Sequence, residues 1–165
     1  MVFLDYQLEL AEVVRLTELD ISSASHTTLD NHLFCGDVYF RINGVSFDAP
    51  WGWIPVISFS MQLCEIVCTI REGEVGRLEF TESDDEIRFV KNKDVMNVSC
   101  DYSKAHAQVS LSEMRDAGLM FATRIFDELS ARWPLLKTNK AFQEKVDHLR
   151  RVLRHAGTTL LNDDH

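Results

Sequence analysis

The sequence lacks the short motifs through which most enzymes bind phosphate or activate a nucleophile. It contains no P-loop, no GxGxxG and no G-x-S-x-G, and its seven glycines are scattered along the chain. The six histidines form no HExxH or HxH pattern, and no CxxC pair is present. One Asp/His pair, Asp101 and His106, lies near a predicted strand end but has no partner nucleophile. These absences favour a protein with no catalytic residues, no bound metal and no cofactor.

Long apolar runs are also missing, since none reaches the roughly 18 residues that span a bilayer. The N-terminal sequence MVFLDYQLELAE lacks the basic region and apolar block of a signal peptide. The four cysteines stand in apolar surroundings without a close-set framework, which is typical of reduced, buried thiols. We therefore expect a cytoplasmic protein that does not associate with membranes.

Positive charge is scarce. The sequence contains 17 Lys and Arg and 26 Asp and Glu, which gives a net charge of −9. Residues 1–136 hold 11 basic and 22 acidic side chains, a net −11, and residues 137–165 carry +2. An acidic body argues against direct contact with nucleic acid, which needs Lys and Arg at the phosphates. It suits a protein partner with a basic surface. Solubility alone is a second explanation for the negative charge.

The stretch from Val38 to Pro55 contains the strongest local fold signal. Asn43 and Gly44 stand between alternating apolar residues, which predicts a type I′ hairpin with arms at about 34–42 and 45–48. This register places Phe40 opposite Phe47. A bulky corner, WGWIP, then leads into a helix over 55–72 that is apolar around most of its circumference. Such a helix is expected to be largely buried.

Alternating apolar residues predict further strands on both sides of this region, at 2–10, 77–80, 86–90, 95–102 and about 108–111. In the first of these, Leu4, Tyr6, Leu8 and Leu10 are expected to point inward. The continuation over 11–21 is ambiguous, and we favour a strand over a helix there. Residues 22–32 are rich in Ser, Thr, Asn and Asp, which predicts a polar loop.

Two amphipathic helices are predicted at the end of the chain, over 112–133 and 139–156. Ser110 and Glu113 form a possible capping box for the first, and Thr138 or Asn139 can begin the second. Residues 158–165 are expected to form a flexible tail. The sequence thus predicts a single α+β domain over 1–157, with an antiparallel sheet of five to seven strands, one buried helix and two C-terminal helices.

Metal-ligand types occur in two places, but neither forms a metal-binding pattern. Cys64 and Cys68 are four residues apart on one predicted helix, where helical spacing of small apolar residues explains them without a metal. His26 and His32 share the predicted polar loop with Asp30 and could bind a metal. We expect a mobile polar loop there instead.

The densest charge feature is an acidic run at a predicted turn between two strands. It lacks the alternating oxygen ligands and the central glycine of a calcium-binding loop. Two explanations remain open: a solvated turn, or a contact surface for a basic protein. The run consists of Glu79, Glu82, Asp84, Asp85 and Glu86.

Two tryptophans, Trp51 and Trp53, flank Gly52 just before Pro55. Without basic neighbours they are unsuited to a nucleic-acid stacking platform. They are expected to plug the corner between hairpin and helix. A ring that proves exposed would instead be a natural anchor for a protein interface, since tryptophan is enriched at binding hot spots.

Two stretches, FRINGVSFDAPWGWIPV (40–56) and LEFTESDDEIRFV (78–90), resemble small bacterial proteins encoded beside polymorphic or contact-dependent toxins. The resemblance implies an immunity protein, a non-catalytic inhibitor that neutralises a toxin domain by blocking a basic surface. It assigns no residue roles. From charge and exposure we expect the acidic run and the two tryptophans to contact the partner. The alternatives are a small-ligand-binding domain with a pocket at Trp51 and Trp53, and a scaffold or oligomerising subunit.

Overall fold

The strands of the protein form two antiparallel sheets, each with four members. The computed structural model describes residues 1–156. In the first sheet the second strand pairs with the first along one edge and with the third and fourth along the other. In the second sheet each strand pairs with its neighbour in sequence. The strands are β1 (Val2–Leu8), β2 (Cys35–Ile42), β3 (Val45–Ser46), β4 (Ala49–Pro55), β5 (Val75–Glu79), β6 (Glu86–Asn92), β7 (Val95–Cys100) and β8 (His106–Ser110).

Five α-helices and two short 3₁₀ turns complete the described part of the chain. The helices are α1 (Leu10–Glu18), α2 (His26–Asn31), α3 (Val56–Thr69), α4 (Leu111–Arg132) and α5 (Lys140–His155), and the 3₁₀ turns are Ile21–Ser23 and Pro134–Thr138. One continuous hydrophobic core joins both sheets and the helices. The α+β class is therefore confirmed, with the strands divided between two sheets instead of one. None of the helices up to residue 156 combines the length and apolarity that crossing a membrane requires.

The three longer helices begin where the sequence predicts. Pro55 is the residue before α3, in which seven of the fourteen residues are buried and only Glu65 and Thr69 are exposed. The hydroxyl of Ser110 accepts the N–H of Glu113 at 3.2 Å, and the side chain of Asn139 accepts the N–H of Phe142 at 2.8 Å. Each cap satisfies a backbone donor that the first turn of a helix leaves free.

The Asn43-Gly44 hairpin is confirmed in detail. Both residues have positive φ, 51° and 83°, as a type I′ turn requires. Phe40 and Phe47 lie on one face with their ring centroids 5.4 Å apart. The ring of Phe40 also stacks on Phe89 of β6 at 6.3 Å, so that it links the two sheets.

Two predictions of secondary structure before residue 33 are wrong. Residues expected to extend a strand form α1, and the expected polar loop at 22–32 contains α2, whose N-cap is Ser25. Strand β1 ends at Leu8, which pairs with Gly36, where a Cβ would lie 2.1 Å from the carbonyl oxygen of Gln7. Leu10, expected to point inward, consequently lies in α1 with 77% of its surface exposed.

The predicted corner at WGWIP is also wrong, because the chain returns to the first sheet. Asp48 accepts the N–H of Phe40 at 2.9 Å and pairs with Arg41 at 2.7 Å, which interrupts the hairpin ladder after Ser46. Residues Ala49–Pro55 then pair with β2 as β4, with a register shift. Trp51 and Trp53 therefore lie on a strand. The predicted flexible tail, 158–165, lies outside the described residues.

Candidate functional site

Four aromatic side chains meet where β4 of the first sheet borders the second sheet. The rings of Trp51 and Trp53 stack with centroids 5.2 Å apart and planes inclined by 22°. Phe80 and Tyr102 approach Trp51 edge-on, at 4.9 Å and 5.0 Å. Both tryptophans remain partly exposed. We call Trp51, Trp53, Phe80 and Tyr102 the aromatic cluster; its rings are held in the offset and edge-to-face arrangements that aromatic quadrupoles favour.

Neighbouring backbone fixes the position of the cluster. Phe80 follows the last residue of β5 and is itself buried. The hydroxyl of Tyr102 donates to the carbonyl oxygen of Phe47 at 2.8 Å, which ties the end of β7 to the first sheet. Gly52, between the two tryptophans, has a φ of 74°, a conformation that side-chain-bearing residues rarely adopt.

Stability should fall at alkaline pH because burial, followed by the neighbouring Cys100, raises the pKa of Tyr102 above its ordinary value of 10.0. The phenol of the unfolded chain ionises first, so the contribution of Tyr102 is present below pH 10 and is lost as the pH rises further. Urea unfolding between about pH 7 and 11 should show this decline. In Tyr102→Phe the stability at neutral pH is lower but its decline above pH 10 is shallower. Parallel pH profiles for the two proteins would show that Tyr102 does not cause the alkaline loss of stability.

Four carboxylates extend from the aromatic cluster along the β5–β6 hairpin. The N–H of Phe80 donates to the carbonyl oxygen of Asp85 at 3.3 Å, which closes the turn, so the turn begins at a member of the cluster. Glu79, Glu82 and Asp84 are exposed, and Asp85 is half-buried. Within residues 1–156 none of the four forms an ion pair. We call Glu79, Glu82, Asp84 and Asp85 the acidic tip.

Glu86 does not belong to this exposed group, contrary to the sequence-based expectation. It is only 8% exposed, and its carboxylate accepts hydrogen bonds from Arg88 and Arg77, which lower its pKa. Its N–H is bound by the side chain of Asp101 at 2.9 Å. The carboxylate of Asp101 is thus engaged by the backbone of β6. His106, the other member of the Asp/His pair, lies exposed on β8. Because two arginines neutralise Glu86, it offers no free charge to a partner.

Two further carboxylates near the tryptophans were missed by the sequence-based reasoning. Asp37 accepts the N–H of Gly52 at 2.8 Å and the hydroxyl of Tyr39 at 3.3 Å. Glu9 packs against Gly52, with its carboxylate oxygen 2.7 Å from the position that a Cβ would occupy there. The only signal in the sequence was Gly52 itself, since a glycine between two tryptophans marks a close approach.

Cys35, at the beginning of β2, is partly buried and donates its N–H to Glu12 at 3.5 Å. The pKa of the Cys35 thiol is raised to about 11, chiefly by burial, then by Glu12 and also by Glu82 of the tip. Glu12 is itself paired with Arg15 at 2.7 Å. The aromatic cluster and the acidic tip meet instead at Phe80, which packs against Trp51 and closes the acidic turn, so the two features that the sequence shows separately form one surface.

Cavity volumes do not favour a small-ligand site at the tryptophans. A cavity beside Phe80, bordered by Pro55, Phe59 and Gln62, holds about 10 Å³, room for about one water. A groove of about 590 Å³ lies elsewhere, between β1 and α4, and is open to solvent.

An exposed apolar patch on the last helix would favour an oligomerising subunit. Along the described part of α5, no large apolar side chain is exposed. The exposed ones lie on other elements, such as Leu10 and Val14 on α1 and Met120 on α4. The observation that this alternative needs is therefore missing from the last helix.

The possible metal ligands are engaged with other groups. Cys64 is buried and its pKa is raised by a hydrogen bond with the Cys68 thiol and by burial. His26 contacts Glu144 at 2.6 Å, and Asp30 pairs with Lys145 of α5 at 2.6 Å. His32 lies exposed at the end of α2. Up to residue 156, no three His, Cys, Asp or Glu side chains lie close enough together to hold a metal ion.

Comparison with known proteins adds no relative: no family model, no curated protein and no solved structure matches this chain. The functional argument therefore rests on the surface formed by the aromatic cluster and the acidic tip.

Proposed function

We propose that the protein is a non-catalytic inhibitor that binds another protein through the aromatic cluster and the acidic tip. The observation that carries this proposal is the junction of the two at Phe80, which packs against Trp51 and also begins the acidic turn. Protein interfaces combine a few aromatic anchors at the centre with a charged rim. The half-buried tryptophans provide such a centre, and the unpaired carboxylates provide such a rim.

The charge of this surface favours a basic partner. Each carboxylate of the acidic tip lacks a cation within the described chain, and Asp37 and Glu9 likewise form no ion pair there. A concentrated negative potential accelerates encounters with a basic surface and disfavours acidic partners. The same potential repels nucleic acid, so the partner is a protein.

The likeness of residues 40–56 and 78–90 to proteins encoded beside bacterial toxins supports a more specific proposal. The protein is then a cytoplasmic immunity protein, and its partner is a toxin domain whose cationic cleft binds phosphate. An acidic protein that occupies such a cleft excludes the substrate by charge and by shape.

The direct test is co-expression with the variable C-terminal domain of a large secreted protein encoded next to this gene. We expect the two chains to co-purify at equal stoichiometry and the activity of the toxin domain to be lost. A neighbouring operon of metabolic enzymes, together with failure to bind any such domain, would contradict the immunity proposal.

Charge reversal at the acidic tip should weaken this binding while leaving the fold intact. We expect Glu82→Lys, Asp84→Lys and Asp85→Lys together to lower affinity by about tenfold or more, mainly through a slower association rate. The thermal midpoint should change little, because these side chains form no ion pairs in the described chain. Surface plasmon resonance at two salt concentrations measures both rate and salt dependence.

The matched control reverses three exposed carboxylates elsewhere and produces the same net charge. Glu18, Asp116 and Asp127 lie on α1 and α4 and are exposed. Their replacement by lysine should leave the association rate within about twofold of the native value, since salt screens the interaction between surface charges beyond about 10 Å. Equal losses in both triple variants would mean that only net charge matters and that the acidic tip is not the contact surface.

A further inference from the structure

Arginine side chains already cover aromatic rings at several places in this protein. A guanidinium over an aromatic face is attracted by the negative ring quadrupole, and the attraction strengthens as water is excluded. The observed pairs are Arg132 over Trp133 at 4.8 Å, Arg124 over Phe121 at 5.6 Å and over Tyr6 at 6.0 Å, and Arg41 over Phe3 at 5.8 Å.

The tryptophan stack lacks a cation of this kind. Within residues 1–156 no arginine or lysine lies over the ring of Trp51 or Trp53. Residues 157–165 contain neither residue type, so they supply none. The ring of Trp51 has three aromatic neighbours with centroids within 6 Å, namely Phe80, Tyr102 and Trp53, whereas in the described chain the ring of Trp53 has one, Trp51. Trp53 is therefore the outer ring of the stack.

The surroundings of this stack favour a cation. The acidic tip carries four carboxylates without ion-pair partners in the described chain. A cation over Trp53 would thus meet a π face and a negative potential together, and either one alone attracts it less.

We propose that Trp53 receives an arginine side chain of the protein partner, with the acidic tip holding the guanidinium charge. This inference rests on the proposed function, because it takes the partner to be a protein. Arginine fits better than lysine, since a planar guanidinium stacks on an indole, whereas the acidic tip attracts either cation by charge alone. Arginine is also the less strongly hydrated of the two cations.

The first test needs no partner. The full chain, labelled with ¹⁵N, is titrated with three blocked pentapeptides, Gly-Gly-X-Gly-Gly, in which X is arginine, lysine or citrulline. Citrulline keeps the shape of arginine without its charge. The indole N–H signal of Trp53 reports binding, and that of Trp133 is an internal control, because Arg132 already covers its ring.

We expect the arginine peptide to shift the Trp53 signal saturably and to leave the Trp133 signal unchanged. The lysine peptide should bind about threefold more weakly, and the citrulline peptide should give no saturable shift. Equal shifts with citrulline and arginine, equal shifts at Trp133, or no saturable shift at all would each overturn the inference.

Variants separate stacking from general electrostatic attraction. Trp53→Leu should lower the affinity for the arginine peptide about fivefold. Trp53→Phe, which retains a π face, should recover about half of this loss in the logarithm of the affinity. Neutralisation of the tip by Glu82→Gln, Asp84→Asn and Asp85→Asn should weaken the arginine and lysine peptides equally. If Trp53→Leu and the tip variant affect both peptides alike, the stacking role is excluded.

Failure of the inference can be told apart from failure of the proposed function. A toxin domain that binds the native protein and Trp53→Leu equally well disproves the arginine anchor and leaves the inhibitor function intact. An arginine peptide that stacks on Trp53 while no toxin domain binds supports the cation site and removes the immunity proposal.

Discussion

Replacement of Phe40 by alanine should lower the free energy of unfolding by about 3–5 kcal/mol, the usual cost of removing a buried phenylalanine. The ring is fully buried and packs against Phe47 in its own sheet and Phe89 in the other. Its removal opens a cavity where the two sheets meet, and neither can close the gap without losing register with its neighbours. Urea denaturation monitored by far-ultraviolet circular dichroism measures the loss.

The matched control is Phe3→Ala on β1. Phe3 is 46% exposed and its ring lies under the guanidinium of Arg41, so its loss should cost well under half as much. A cost for Phe40→Ala no greater than that for Phe3→Ala would mean that the two sheets do not share one core.

Replacement of Asn139 by alanine should cost about 2–4 kcal/mol, more than the loss of an ordinary helix cap. Its side-chain oxygen accepts the N–H of Phe142, and its amide nitrogen donates to the carbonyl oxygens of Ile21 and Ala24, each at 2.8 Å. The residue is 1% exposed, and its removal would leave the N–H of Phe142 buried without a partner and take one donor from each of the two carbonyl oxygens. Asn139 thus joins the start of α5 to the first 3₁₀ turn, across more than a hundred residues of sequence.

Two further variants divide this effect into its parts. Asn139→Ser keeps an oxygen for the N–H of Phe142 but loses both amide donors, so it should recover only about 1 kcal/mol. Ser110→Ala removes a cap that has no other tertiary role and should cost about 1 kcal/mol. Equal costs for Asn139→Ala and Ser110→Ala would show that the bonds to Ile21 and Ala24 contribute nothing.

Local patterns predicted those parts of the fold that local physics determines. The Asn43-Gly44 turn requires positive φ at both residues, which few other dipeptides tolerate, and alternation then sets the register of Phe40. The caps at Ser110 and Asn139 likewise depend on residues three positions apart. The second sheet was predictable for the same reason, since its strands are joined by short turns.

The N-terminal third was not predictable in this way. Leu16 is the main buried apolar residue of α1, and the exposed Leu10 and Val14 make the sequence pattern resemble a strand. At the end of β1 the backbone passes close to Gly36, a contact between residues nearly thirty positions apart. The strand after the hairpin is interrupted at Asp48, which bonds to Phe40, and the chain then pairs with β2 a second time as β4.

The candidate site shows the same limit. The sequence identified the tryptophans and the acidic residues one by one, but their meeting depends on the ring of Phe80, about thirty residues beyond Trp51. It also could not separate Glu86 from its acidic neighbours. That distinction depends on Arg77, which lies across the hairpin and reaches Glu86 only after β5 and β6 have paired.

The position of the acidic tip has a consequence for how this protein can change over evolutionary time. Three of its four carboxylates, Glu82, Asp84 and Asp85, lie on the connection between β5 and β6, and the ring that begins the turn, Phe80, is buried in the core. Residues 81–85 can therefore be substituted with little cost to folding, while the aromatic anchors stay in place. Recognition can be redirected to a new partner by a few changes in one turn, because attraction and repulsion at a rim decide which partner is accepted.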